Sequence, residues 1–288
     1  MLVVNQCITI KSLACHGLKT ASPPNPKCRY TLIYFMLTPA GSRTFTCTAV
    51  VPIANRIVDD LDGSSGSSKS ASVLLVTIWE LGEAAGPLLI GPLSEIVGRY
   101  PVINGANVLF VGSTILAAAC RSSGAFVAAR VLTGLTVATN VLSPAIIGDI
   151  FPPEQRGSAM SFVQVAPLVG GAIGPAISGA IAESLGWRRV ILLSVALASC
   201  CEVVFLCCFR ETYKVTILRR RAERLRRETG NAALKTLFDL EEKHDAAKLW
   251  EAVMRPVLVF CSSSVLQALS LFGGLVFSYF YIMSVTLP

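Results

Sequence analysis

Three ionisable side chains stand out because they lie in or beside long apolar stretches of the sequence. Glu80 and Glu83 interrupt the apolar stretch 72–93, and Arg130 directly precedes the uncharged stretch 131–148. The two acids are three residues apart, so a helix would place them on one face. An ionisable group surrounded by hydrocarbon is costly and is therefore a candidate for function, such as carrying a proton. We predict that Glu80 or Glu83 carries a proton or lines a cavity and that Arg130 tunes it. The alternative is that one acid only pairs with a neighbouring helix.

The composition indicates an integral membrane protein with one charged soluble segment. Of the 288 residues, 53% are apolar and only 15% are charged, whereas about a quarter of an ordinary soluble domain is charged. The segment 210–255 holds 12 basic and 8 acidic side chains, which leaves the rest too sparsely charged for a water-soluble surface. This distribution argues against a secreted disulfide scaffold, a disordered chain and a nucleic-acid binder. More than half of the net charge of +7 lies in that segment, which points to a membrane face.

Six stretches are long and apolar enough to cross a membrane, which takes about 20 largely uncharged residues. They are 72–93, 100–120, 131–148, 157–182, 190–209 and 256–288. A seventh candidate, 31–54, is weakened by Arg43, because an arginine near the middle of a span costs about 2.5 kcal/mol or more. We therefore predict an all-α membrane protein in four parts: an atypical segment over 1–30, a six-helix transmembrane bundle over 31–209 with a weak first span, a charged loop over 210–255, and a seventh transmembrane helix over 256–288.

The first 30 residues fit a secretory signal poorly. No basic region precedes a long apolar stretch there, and no acidic residue appears before Asp59. We expect a misjoined exon or a truncated start, with a transit peptide as the alternative.

The lysines and arginines predict that the N-terminus lies in the cytoplasm. With seven spans and this orientation, the inner segments hold 18 basic residues and the outer loops hold 5. Basic residues favour the cytoplasmic side, so 210–255 becomes a cytoplasmic loop of a multi-pass protein, for which we expect the plasma membrane. Within this loop, Arg219 to Arg227 indicates a basic helix that ends near Gly230. This helix is either a solvated surface helix or a contact with anionic lipid heads.

The ten cysteines leave a metal site as a minor alternative. A cluster on one predicted helix could offer thiolates and a carboxylate, from Cys200, Cys201, Glu202, Cys207 and Cys208. However, no C-x-x-C spacing occurs, and the chain has only His16 and His244. We expect small cysteines packed in the membrane, no metal and no cofactor.

A short loop after the second span could act as a charged latch at the cytoplasmic side. Its pattern is set by Gly91, Glu95, Gly98 and Arg99. The two glycines allow a sharp turn, and the acid and the arginine can pair across it or with neighbouring helix ends. Such a charge cluster can hold one conformation closed and release it on protonation. The alternative is a tight loop with a satisfied ion pair.

The loop 148–157 echoes this pattern two spans later, as an internal repeat of three helices would. Asp149 closes the end of the fourth span and would join Arg99 and Glu95 in the latch. Arg156 lies in the same loop and is assigned to the latch as well.

The fifth span carries a series of small residues: Gly170, Gly174, Pro175 and Gly179. Glycines four residues apart let two helices approach closely, and Pro175 removes a backbone hydrogen bond and bends the helix. The pattern predicts close helix packing.

Taken together, these patterns resemble the fungal drug:proton antiporter branch of the major facilitator superfamily. The latch loop is similar to the superfamily's G-x-L-x-D/E-x-x-G-R motif, and Arg130 with Gly134 is similar to its R-x-x-x-G signature. The fifth span resembles the antiporter pattern G-x-x-x-G-P-x-x-x-G. The stretches 79–95 and 210–231 are also close to that branch, and the resemblance extends over about residues 44–285.

The resemblance implies the N-terminal six-helix half of a twelve-span fold, plus a seventh helix. It implies proton-coupled efflux of drugs or fungal secondary metabolites by alternating access, with Arg130 as the proton-coupling arginine. The implied partners are the lipid bilayer, protons, a small apolar organic substrate, and a second half or a further copy of the chain. The sequence has no nucleotide-binding loop, zinc-protease motif or catalytic triad, so we expect an ion-driven protein that is not an enzyme. The alternative is a truncated fragment without transport activity of its own.

Overall fold

The computed structural model describes residues 39–62, 69–137, 139–209, 211–230, 254 and 256–286. Within these ranges every regular element is a helix, as the sequence predicts. In chain order the helices are α1 (39–48), α2 (Ala54–Asp62), α3 (Lys69–Val97), α4 (Arg99–Ala119), α5 (Ser123–Leu135), α6 (Thr139–Ile150), α7 (Pro153–Leu185), α8 (Trp187–Cys208), α9 (Lys214–Thr229), α10 (Pro256–Ser262) and α11 (Ser264–Thr286). The predicted segment 1–30 and residues 231–253 of the predicted loop lie outside the described residues.

Four of the described helices, α3, α4, α7 and α8, are long and apolar enough to cross a membrane. They coincide with four of the predicted spans. Helices α10 and α11 pass the same criterion together, but their axes differ by 101°. The predicted seventh span is therefore a bent pair of helices rather than one straight helix.

The predicted fourth span is divided between two helices, α5 and α6. Helix α5 begins before the predicted start at 131, because the side chain of Ser122 caps it by accepting a backbone hydrogen bond of 3.4 Å. The prediction used the charge of Arg130 as the edge of the apolar stretch. This boundary was wrong, since Arg130 lies near the end of α5 and is buried among other helices.

Of the predicted first span, 31–54, the structure describes residues 39–54. They form the short helix α1 and a 3-10 turn at Val51–Ile53 that contains Pro52, and α2 begins at Ala54 and continues beyond the predicted span. Arg43 lies in α1, where its side chain is only 3% exposed. The arginine that weakens this span in the sequence is therefore turned toward the other helices and away from lipid.

Glycines form the sharp turns between neighbouring long helices. Gly98 separates α3 from α4 with φ +110°, and Gly186 separates α7 from α8 with φ +84°. Side chains other than glycine rarely adopt these backbone angles. Of the two glycines of the predicted latch, Gly98 is thus the point at which the chain reverses direction. The prediction was wrong for Gly91, which lies inside α3, seven residues before this turn.

Helices α3 and α5 cross in direct backbone contact through glycines on both sides. A Cβ atom added to Gly82 would lie 2.6 Å from the carbonyl oxygen of Val131, and one added to Gly134 would meet the carbonyl oxygen of Trp79 and the Cα atom of Gly82. Small residues at a crossing let backbones approach and gain packing energy where lipid gives no hydrophobic drive. This contact brings Glu80 and Arg130 onto facing helices.

Much of the outer surface is apolar, as a membrane environment requires. Leu168 on α7 is 72% exposed and Phe272 on α11 is 69% exposed, and the described part of α11 shows large apolar side chains to the outside throughout. In contrast, four charged side chains of the bundle are buried: Arg43, Arg99, Arg130 and Glu202. The ionisable side chains that are candidates for function therefore lie in the interior of the bundle.

We expect Gly134→Ala to destabilise the protein, because the new methyl group meets the backbone of α3 and neither helix can yield without losing contacts. Overpacking of this kind costs about 1–3 kcal/mol. Gly112→Ala on α4 is the matched control, since a Cβ there has no neighbour within 4 Å. Thermal unfolding in detergent should show a lower melting temperature for the first variant only, and equal melting temperatures would contradict the direct crossing.

Candidate functional site

The predicted coupling residues meet in a polar pocket between α1, α3 and α5. Arg130 is 2% exposed, and its Nη2 donates to the carbonyl oxygen of Cys47 at 3.5 Å. The Cys47 thiol lies 3.8 Å from Oε1 of Glu80, and the Arg130 guanidinium lies 5.8 Å from the centre of the Trp79 ring. Arg130 on α5 and Glu80 on α3 therefore both contact Cys47 of α1. They are also close enough to interact electrostatically with each other.

This pocket is incompletely satisfied by the described residues. Neither Nε of Arg130 nor Nε1 of Trp79 has a hydrogen-bond partner among them, although both atoms are buried. Glu80 and Glu83 are half-buried on α3. A buried donor without a partner is costly. The pocket is therefore suited to a change in the protonation of one of its groups or to a change of occupant.

A second buried polar cluster, which sequence reasoning missed, joins α1, α4 and α8. Nη2 of Arg43 donates to the side-chain carbonyl oxygen of Asn107, and the Asn107 amide nitrogen donates to Oε2 of Glu202. Arg43 also lies 5.7 Å from the centre of the Phe110 ring. One amide thus connects a cation to an anion, and this explains how α1 tolerates an arginine. The prediction that Arg43 impairs the first span ignored this compensation.

Helix α1 positions both clusters. Arg43 and Cys47 are four residues apart, so their side chains project from the same face of α1 about one turn apart. One end of this face meets Asn107, and the other meets Glu80 and Arg130. The spacing of these two residues was the sequence signal for a shared polar face.

The predicted latch residues meet in part at the ends of α4 and α6. Nε of Arg99 donates to Oδ2 of Asp149 at 2.7 Å, and both side chains are mostly buried. Glu95 is exposed and does not share this ion pair. Arg156 instead donates to the carbonyl oxygens of Phe151 and Gly148, at 3.0 and 2.9 Å. It therefore caps the end of α6 and does not reach Arg99.

Glu211 completes this end of the bundle, and sequence reasoning did not single it out. Its carboxylate accepts the backbone N–H groups of Arg99 and Tyr100, at 3.0 and 3.2 Å, and those of Thr212 and Tyr213. The first turn of a helix has unsatisfied N–H groups and favours a negative charge. Glu211 thus fixes the start of α4 beside Gly98.

Tyr213 covers the other side of the latch arginine. The Arg99 guanidinium lies 5.2 Å from the centre of its ring, a distance at which a cation is attracted to the aromatic face. Burial, together with the nearby charge of Glu95, raises the pKa of the Tyr213 phenol. The phenol therefore stays neutral at physiological pH. Arg99 is held on three sides by Asp149, Glu211 and Tyr213.

Two of the three predicted glycines of the fifth span contact α1, and the third contacts no other described helix. A Cβ atom at Gly170 would meet the carbonyl oxygen of Gly41, and one at Gly174 would lie 3.2 Å from the carbonyl oxygen of Phe45. Gly179 has no neighbour within 4 Å, and Pro175 is half-buried within α7. Part of the signature therefore holds α1, the helix that carries both polar clusters.

Comparisons with known proteins agree with this architecture. Residues 39–288 match the Major Facilitator Superfamily. The chain belongs to this superfamily. It is 32% identical over 261 residues to the MFS-type transporter penM of Penicillium rubens, which covers 90% of this chain and 49% of that protein. It is 31% identical over 245 residues to the efflux pump radE of Floropilus chiversii, which covers 82% and 45%.

Solved structures of transporters share the fold. The xylose transporter XylE from E. coli, in a partially occluded inward-open conformation, matches with a TM-score of 0.59 and 18% identity over 78% of this chain and 58% of that one. The human organic anion transporter MFSD10 matches with a TM-score of 0.53 and 22% identity over 67% and 50%. The predicted resemblance and the half-bundle fold are confirmed. The chain spans about half the length of the curated relatives it matches.

We expect the Arg43 and Glu202 substitutions to be strongly non-additive. Arg43→Leu or Glu202→Leu alone leaves the opposite charge buried without its counter-charge, which costs about 3–5 kcal/mol. The double variant removes both charges and should be more stable than either single variant. Unfolding of the detergent-solubilised chain measures the cycle, and simple addition of the two effects would show that the residues do not communicate through Asn107.

We expect Glu211→Gln to loosen the first turn of α4. The amide replaces one accepting oxygen with an NH₂ group that faces backbone donors, and loss of such a cap costs about 0.5–2 kcal/mol. Hydrogen exchange at Arg99 and Tyr100 should therefore become faster. Glu154→Gln, an exposed acid in the first turn of α7, is the control and should leave those two amides unchanged. Equal effects of both variants would contradict the capping role.

Proposed function

We propose that this chain supplies the N-terminal half of a proton-coupled transporter that exports small organic molecules. The observation that carries the proposal is the buried pocket in which Arg130 faces Glu80 through Cys47 on α1. An ionisable pair inside a membrane bundle is energetically costly, and such residues usually have a function. Relatives named as efflux pumps support the direction of transport.

In this proposal Glu80 or Glu83 carries the proton, and Arg130 senses its charge. An ionised carboxylate on α3 is attracted to Arg130 on α5, and the low dielectric of the bundle strengthens this attraction. Protonation removes it. The pocket then alternates between a state held by charge and a state that is free to rearrange, which is what alternating access around a midplane site needs.

The cytoplasmic latch holds one of these states closed. Arg99 and Asp149 join the ends of α4 and α6, while Glu211 ties the following segment to the start of α4. Opening would break an ion pair and the contacts around it together. The buried surroundings of Arg99 make this a two-state element rather than a graded one.

The proposed setting is the plasma membrane, with the N-terminus and the latch in the cytoplasm. The excess of basic residues in the predicted inner segments supports this orientation. The substrate would be a small, mostly apolar molecule such as a drug or a fungal secondary metabolite, because relatives include a transporter of a trichosetin biosynthesis cluster. No enzymatic step is proposed.

The second candidate is a polypeptide that has no transport activity unless a second half or another copy joins it. The observation in its favour is that the chain spans about half the length of its curated relatives. In that case the polar pocket would be formed but would lack the opposite wall of the cavity. The two candidates differ in whether the chain alone moves substrate.

Arg130→Ala should remove transport that depends on a pH gradient and leave membrane insertion intact. The reason is that the charge that senses the α3 carboxylate is lost, while the apolar character of α5 increases. The purified chain is reconstituted into liposomes. Uptake of a fluorescent lipophilic dye is followed with and without a pH gradient in which the lumen is acidic.

Arg189→Ala, an exposed arginine at the start of α8, serves as the matched control and should transport like the unaltered chain. Gradient-dependent transport that survives Arg130→Ala would reject the role of Arg130. A correctly inserted unaltered chain that transports nothing would reject independent transport and favour the second candidate.

A further inference from the structure

Helix α9 carries the largest concentration of positive charge among the described residues. Between Lys214 and Thr229 it has seven basic and two acidic residues. Its start is tied to the bundle, because Glu211 caps α4 and the Tyr213 ring lies beside Arg99. The helix therefore leaves the bundle at the level where α4 begins, which is one edge of the membrane-spanning region.

One face of α9 is apolar, and its two leucines are exposed. Val215, Leu218, Ala222 and Leu225 are spaced three, four and three residues apart, so they form a single stripe along the helix. Leu218 is 43% exposed and Leu225 is 39% exposed. An apolar stripe on a strongly charged helix in this position is not part of the packed core.

Arginines flank the stripe on both sides. At 100° per residue, Arg221 lies on one side of the stripe and Arg219 and Arg226 lie on the other. Arg220 and Arg227 lie on the opposite face, and both are exposed. An apolar stripe bordered by arginines is the pattern of a helix that lies in the interface of a bilayer, with its arginines at the level of the lipid head groups.

We propose that α9 docks on the membrane surface and binds anionic phospholipid head groups, with the Leu218–Leu225 stripe in the acyl boundary and Arg221 and Arg226 on the phosphates. Charge complementarity selects this occupant over a neutral lipid surface, because the helix has a net charge of +5 and the cytoplasmic leaflet is anionic. The biological side of the membrane rests on the orientation given under the proposed function, whereas the lipid contact itself does not.

Docking would also affect the latch. Helix α9 begins immediately after Tyr213, and its Thr216 methyl group lies next to the position of Gly98. A lipid that holds α9 flat would therefore hold Glu211 and Tyr213 against Arg99. The inner leaflet would act as a positioning partner of the cytoplasmic end of α4.

The test compares hydrogen exchange of the full chain in nanodiscs of phosphatidylcholine with nanodiscs that also contain phosphatidylserine. We expect slower exchange over Lys214–Thr229 in the anionic discs, and high salt should reduce the difference. Because a nanodisc exposes both membrane faces and no transport is measured, failure of this test is distinguishable from failure of the proposed function. Inorganic phosphate added to neutral discs should give no protection.

Variants on the two faces of α9 provide the matched control. Arg221→Gln with Arg226→Gln removes two of the three arginines beside the stripe. If each arginine strengthens docking about fivefold, the ratio of docked to free helix should fall roughly 25-fold. Arg220→Gln with Arg227→Gln removes the same charge from the other face and should keep most of the protection. Leu218→Ser with Leu225→Ser should lose it.

Three outcomes would overturn the proposal. The first is equal exchange in the neutral and the anionic discs. The second is protection in both kinds of disc that survives the Arg221 and Arg226 substitutions, which would mean that protein covers the stripe. The third is protection by inorganic phosphate alone, which would make the arginines a site for free anions.

Discussion

A charge buried in an apolar bundle must be met by an opposite charge or by hydrogen bonds, and this requirement organises the protein. Arg43 is met by Asn107 and Glu202, and Arg130 is met by Cys47, Glu80 and the face of Trp79. Each set of contacts draws together three helices. Because both sets include α1, this short helix is held between them, and its position depends on charge compensation as much as on apolar packing.

Close backbone contact makes the compensation possible. The side chains of Glu80 and Arg130 reach a common partner only because α3 and α5 touch at Gly82 and Gly134, with no side chain between them. On the other side, Gly170 and Gly174 let α7 press against α1. Lipid offers no hydrophobic drive for helix association, so small residues and buried polar groups must supply it together. The same residues that hold the bundle therefore fix the geometry of the polar pocket.

The parts of the fold that follow from local composition could be predicted, and those that depend on long-range compensation could not. The spans α3, α4, α7 and α8 were evident from uncharged length. The limits of α5 and the tolerance of Arg43 were missed, because a hydropathy argument treats each arginine as a cost and cannot see Asn107 or Glu202 many residues away. Glu211 was missed for a related reason. Its partners are backbone N–H groups, which leave no signal in the sequence.

The interior cluster and the latch share helix α4, and this couples one to the other. Helix α4 carries Arg99 at its first residue and Asn107 about two turns later, while α8 carries Glu202 and leads directly to Glu211. A helix moves as a stiff rod over this distance. A shift of α4 relative to α1, α6 and α8 that opens the pair between Arg99 and Asp149 would therefore also displace Asn107 from between Arg43 and Glu202. The cost of exposing those charges is then a physical reason for the bundle to occupy discrete states.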